Sequence, residues 1–130
     1  PCLSYASDME IRVGGRFYYP DVMVDCGHVD DDSVYTETAV LIIEVLSKST
    51  RKNDRQMKRM AYLQLDTLQE YVLIEQDFVD VEVQRRSNGW QSEHYFLGEE
   101  LTLSSIGLTV AVADIYERVQ NEDMQEWLAR

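Results

Sequence analysis

The stretch from Thr38 to Leu46, TAVLIIEVL, constrains this chain more than any other. Its apolar residues fall on both faces of a strand, so both faces need cover, as in the central strand of a layered α/β sheet. One residue breaks the run. Glu44 has apolar neighbours on either side and on either face, and burying an unpaired carboxylate costs several kcal/mol. It calls for a cation, a metal ion or a raised pKa, unless the strand end at Leu46-Ser47 lets it reach water.

The 130 residues suit a single domain with one core, spanning 1–130. Pro1 opens what reads as the start of a strand, so the sequence is expected to be an N-terminally truncated fragment. Its longest apolar run, Ala39 to Ile43, falls far short of the roughly 20 residues of a membrane span. No signal-peptide pattern opens it. Cys2 and Cys26 form no CxxC and lack histidines at zinc spacing. Free thiols and a reducing, cytoplasmic compartment are therefore expected.

Leu3 to Val13 reads as a strand, Gly14-Gly15 as a turn, and Phe17 to Tyr19 leads into Pro20. From Pro20 to Cys26 the pattern alternates, with Val22, Val24 and Cys26 on one face and Asp21, Met23 and Asp25 on the other. After the buried strand, Asn53 and Gln56 resemble a capping box. The helix they open carries a stripe of Met57, Met60, Ala61 and Gln64, with Tyr62 and Leu65 beside it. Glu70–Ile74, Val79–Arg86 and Trp90–Leu97 read as strands, the last two joined by a hairpin at Asn88-Gly89. Residues 101–112 read as extended or irregular, and short helices follow around Ile115 and Trp127. The order β-β-β-α-β-β-β-α describes an α/β domain of the α+β type with a mixed sheet.

Charge is distributed unevenly. With 24 acidic and 12 basic residues the chain carries a net charge of −12, which excludes a wholesale polyanion binder. Yet Lys48, Arg51, Lys52, Arg55, Lys58 and Arg59, half of all its basic residues, lie within twelve positions, opposed there only by Asp54. Helix N-termini already favour anions, so cations added there point to a bound anion, or else to a solvated helix face. Asp21 begins the strand before the buried one. Two carboxylates at corresponding ends of adjacent strands can hold a hard divalent cation, which can activate water and polarise a phosphodiester. Lys58 either pairs with Asp54 four residues earlier or faces that metal. Tyr62 is either core or a support for Lys58, and neither His28 nor His94 has a partner at ligand spacing.

Taken in order, Tyr19-Pro20-Asp21-Val22-Met23-Val24, Ile43-Glu44-Val45-Leu46-Ser47-Lys48-Ser49-Thr50, Asp54 with Lys58 and Tyr62, and Glu70-Tyr71 resemble the Uma-type family of putative restriction endonucleases. That family belongs to the PD-(D/E)XK nuclease superfamily. The resemblance implies a restriction-endonuclease-like fold, here lacking its N-terminal helix and first strand region. Asp21 matches the PD aspartate and Glu44 the acidic residue of (D/E)XK. Leu46 stands where the lysine belongs, and Lys58, on the following helix, is the matching residue. Val72 replaces a usual tryptophan.

The resemblance further implies catalysis by Asp21, Glu44 and Lys58, and Mg2+ (or Mn2+) held by Asp21, Glu44 and the carbonyl of Val45. Lys48, Arg51, Lys52 and Arg55 would contact the backbone phosphates of DNA. The expected function is metal-dependent hydrolysis of DNA phosphodiester bonds, with no membrane partner and room for a homodimer. The alternative is a catalytically inactive nuclease-fold module used for protein or DNA interaction, which the acidic net charge favours.

Overall fold

The computed structural model describes residues 2–6, 9–27, 35–47 and 52–130, with residues 52–54 described by backbone alone. Its centre is a six-stranded sheet, ordered β1-β4-β6-β7-β8-β9. These strands are Leu3–Ala6 (β1), Val22–Asp25 (β4), Ala39–Leu46 (β6), Glu70–Glu75 (β7), Val81–Arg85 (β8) and Ser92–Tyr95 (β9). The predicted buried strand, β6, lies inside it, antiparallel to β4 and parallel to β7. A parallel pair cannot be closed by a tight turn. The crossover here is the helix Lys52–Tyr62 (α1).

Both faces of the sheet are covered, as the apolar run requires. On one side Met23, Ile42, Leu46, Tyr71 and Leu73 pack with Tyr62, Leu65 and Leu68 of α1 and its exit. On the other, Val24, Leu41, Val72, Val81 and Val83 meet Leu101, Leu103, Val112, Tyr116 and Met124. That second layer consists of a hairpin, Glu100–Leu103 (β10) and Leu108–Ala111 (β11), and two short helices, Val112–Ile115 (α2) and Glu122–Leu128 (α3). The segment expected to be extended or irregular is thus largely paired, turning at Gly107 with φ of 65°.

Three expectations need correction. The run from Leu3 to Val13 is two strands in two sheets: β1 joins the central sheet, and Glu10–Val13 (β2) joins a second one. That smaller sheet pairs β2 with Arg16–Tyr18 (β3) and with Tyr35–Thr36 (β5). Even spacing of apolar residues cannot distinguish one strand from two that continue in different sheets.

The thiols are not free. Register places Leu3 opposite Asp25, which brings Cys2 and Cys26 face to face, and a disulfide joins them. Nothing in a separation of 24 residues announces a pairing that antiparallel register creates.

The buried stripe of α1 also differs. Met57 and Met60 are 55% and 65% exposed, whereas Tyr62 is fully buried. The helix turns Arg55, Lys58 and Tyr62, spaced i, i+3 and i+7, toward the sheet.

Candidate active site

The end of β6 and the segment leading into β4 are stitched together by their own carboxylates. Val45 N–H donates to Asp21 Oδ2 at 2.7 Å, and Asp21 N–H donates to Glu44 Oε1 at 3.3 Å. The bonds arise because β4 pairs with β6 only as far as Val22–Ile43. Beyond that point Asp21 leaves the ladder, and its side chain replaces the missing strand partner for Val45. In a strand the N–H and C=O of one residue point to the same side, so the Val45 carbonyl also lies on the Asp21 edge. The Val45 side chain faces outward and is 46% exposed.

Glu44 faces α1. Lys58 Nζ lies 3.4 Å from Glu44 Oε2, so one carboxylate oxygen meets a backbone N–H and the other a cation. Glu44 retains only 6% exposure. Burial raises its pKa above the ordinary carboxylate range; Lys58 opposes the shift and Asp21 adds to it.

Tyr62 stands behind this pair with its ring edge-on to Tyr18 and Tyr71, centroids 5.5 and 5.7 Å away. Its hydroxyl makes no hydrogen bond, so it does not hold Lys58 by one. Burial and the nearby Glu44 carboxylate push the Tyr62 phenol up. Tyr62 is a core residue.

Asp21, Glu44, Val45, Lys58 and Arg55 share a cavity of about 190 Å³, with Tyr19 and Tyr71 also on its wall. Tyr19 is held by a hydrogen bond from its hydroxyl to Glu10. The sequence named neither tyrosine as a site residue and gave Arg55 as a contact to backbone phosphates, and the structure puts Arg55 on the wall of this cavity. The signal available was helical spacing, since Arg55 is one turn before Lys58 and two turns before Tyr62. Lys48 and Arg51 lie outside the described residues, as does the side chain of Lys52.

Asp25, on the Asp21 face but deeper, accepts from Thr36 and Thr38 hydroxyls at 2.5 and 2.8 Å and from Gly27 N–H at 2.7 Å. It closes a turn. His94 pairs with Asp80 at 2.8 Å, far along the sheet edge.

The donor chemistry suits a hard divalent cation: two carboxylates and a backbone carbonyl, all oxygen. Among the described residues no group of three or more His, Cys, Asp or Glu is placed to hold a metal. An ion here would depend on two carboxylates, the carbonyl, water and substrate. Magnesium is commonly held in this way beside phosphates.

Comparison with known proteins adds three findings. A family model described as "Uma2: Putative restriction endonuclease" matches residues 1–113. An uncharacterized protein of Synechocystis sp., slr1290, is 35% identical over 115 residues, covering 85% of this chain and 60% of the relative. The chain thus spans about three-fifths of that curated relative. A crystal structure from Anabaena variabilis, described as a putative nuclease belonging to DUF820, superposes with a TM-score of 0.73. The match covers 89% of this chain and 68% of that one at 16% identity, a likeness of fold.

Proposed function

The chain belongs to the Uma2 family of putative restriction endonucleases, and on that premise we propose that it is a magnesium- or manganese-dependent endonuclease that hydrolyses DNA phosphodiester bonds. One observation carries the reading. A nearly buried glutamate is bonded to the backbone of a second acidic residue and paired with a lysine at 3.4 Å, all three on the wall of one small open cavity. A fold gains little stability from such an arrangement, because the charge resists burial. Its use is to bind something that supplies positive charge.

Asp21, Glu44 and the Val45 carbonyl would hold the ion. When bound, a divalent cation polarises the phosphodiester and lowers the pKa of coordinated water. The protein's own part is positional. Asp21 and Glu44 are each fixed by a backbone N–H donor at one oxygen, which leaves Asp21 Oδ1 and the Lys58-paired Glu44 Oε2 as the oxygens that would meet the ion. Lys58, which pairs with Glu44 at 3.4 Å, would offer its ammonium to the charge that develops on the phosphate. Lys48, Arg51 and Lys52 precede or begin α1 in the sequence and would neutralise flanking phosphates of the DNA.

The rival reading is an inactive nuclease-fold module that binds protein or DNA, and the net charge of −12 favours it by opposing DNA approach outside one patch. Cleavage assays decide between them. Full-length protein should nick or cut plasmid DNA in manganese or magnesium, and Asp21→Ala, Glu44→Ala and Lys58→Ala should each lower the rate at least 100-fold. DNA left intact by the wild type under both metals, or cut normally by Lys58→Ala, would refute the proposal. Analytical ultracentrifugation on DNA would show whether the acting species is a homodimer.

A further inference from the structure

We propose that Arg55 divides two adjoining substrate pockets, gripping the reacting phosphate on one side while the neighbouring nucleoside occupies the second pocket. The inference rests on the nuclease reading and names how much of the substrate this face holds.

Arg55 lines the cavity of Asp21, Glu44 and Lys58, and it also lines a second cavity of about 150 Å³. Leu73 gives the second cavity an apolar wall, and Arg59, Glu82 and Gln84 form its polar rim. That rim is locked in place. Arg59 Nε donates to Gln84 Oε1 at 2.6 Å, Gln84 Nε2 to Glu82 Oε2 at 2.8 Å, and Ser92 Oγ to the same oxygen at 2.6 Å. In ligand pockets a few precisely placed polar groups fix the orientation of a bound ring, and this rim supplies such groups beside one apolar side chain, Leu73. Each cavity alone is smaller than the roughly 300 Å³ at which ordinary ligand pockets begin, and together they reach that size.

Arg55 itself has an unused donor. Its Nε is buried without a hydrogen bond, whereas Arg59, one turn later, has its Nε satisfied. Leaving a buried donor unpaired is costly, and a shift of the side chain that turns Nε toward an arriving anion would remove the cost. Burial raises the Glu75 carboxyl, and the charge of Arg55 opposes that shift. Charge is balanced on the catalytic side: two carboxylates, Asp21 and Glu44, against two cations, Lys58 and Arg55. A divalent cation and a DNA phosphodiester, which carries a single negative charge, would leave one positive charge over, and the second negative charge that develops on the phosphate in the transition state would take it up.

Deoxythymidine 3′,5′-bisphosphate, a nucleoside with a phosphate at each end, tests this when titrated calorimetrically beside inorganic phosphate, with calcium as the hard cation. The wild type should bind the bisphosphate at least tenfold more tightly than phosphate. Arg55→Ala should lose at least tenfold for both probes. Arg55→Lys should regain part of that loss, since it restores charge without the planar fork. On DNA, Arg55→Ala should lower kcat more than it raises KM. Equal affinity of the wild type for the two probes, or unchanged binding in Arg55→Ala, overturns the inference. So does an Arg55→Ala enzyme with normal kcat and only a raised KM, which would make Arg55 a distant phosphate contact. A wild type that cuts no DNA but keeps the bisphosphate preference removes the nuclease reading and leaves the paired pockets standing.

Discussion

Glu44 is the residue on which most of the molecule's chemistry turns, and its cost can be measured. Because burial raises its carboxyl pKa, the folded chain holds that proton more tightly than the unfolded chain. The associated stability is fully present below the unfolded value of about 4.5 and is lost as pH rises through the folded value. Glu44→Gln, similar in shape and uncharged, should therefore be more stable than the wild type at pH 8 in chelator. The difference should close as pH falls toward 4.5 in urea titrations. Magnesium should favour the wild type alone, by about 1.4 kcal/mol at ten times its Kd. Coincident melts with and without magnesium would remove the metal from the reading. Tyr62 offers a separate check. Its hydroxyl is buried without a partner, so Tyr62→Phe should be neutral or stabilising by about 1 kcal/mol in denaturant titrations. A loss of stability would mean that the hydroxyl has a use after all.

At the scale of elements, the two layers that flank the sheet are attached in different ways. Helix α1 joins through an aromatic contact at Tyr62 and through charges, since the sheet-facing stripe at its N-terminal half is Arg55 and Lys58. The β10–β11 hairpin is attached through a buried carboxylate. Glu70, at the start of β7, is 1% exposed; it pairs with Arg85 and accepts from the N–H groups of Ser104 and Ser105 at 3.3 and 2.9 Å. Removing one partner of such a pair leaves an uncompensated buried charge. Glu70→Ala should thus destabilise the protein by about 3–5 kcal/mol in equilibrium unfolding. Hydrogen exchange should rise first in β10 and β11. Uniform exposure of the whole sheet would show that Glu70 is not specific to the hairpin.

For the whole molecule, the disulfide ties the edge strand β1 to the strand that leads out of the site. Closing a loop of 24 residues stabilises the native state by about 3 kcal/mol in the chain-entropy account. Guanidinium unfolding with and without dithiothreitol should differ by about that amount. Two titratable thiols in the unreduced native protein would show that the bond does not form in solution.

What the sequence determined by itself was local. Nine residues that are apolar on both faces had to become a covered central strand, and a glutamate among them had to be anomalous, because burial pattern and charge cost are properties of neighbouring positions. The order and spacing of Asp21, Glu44, Lys58 and Tyr62 along the chain were legible as a family resemblance. Which residues meet across the fold was not legible. Met57 and Met60 outweighed Arg55 and Lys58 as the expected core stripe because periodicity ranks side chains by hydrophobicity, and charges that face a buried carboxylate violate that ranking. The division of 3–13 between two sheets, the pairing of Cys2 with Cys26 and the place of Arg55 between two cavities all depend on register and on the α1 crossover. Those are set by contacts between distant segments, whose geometry no short window of sequence contains.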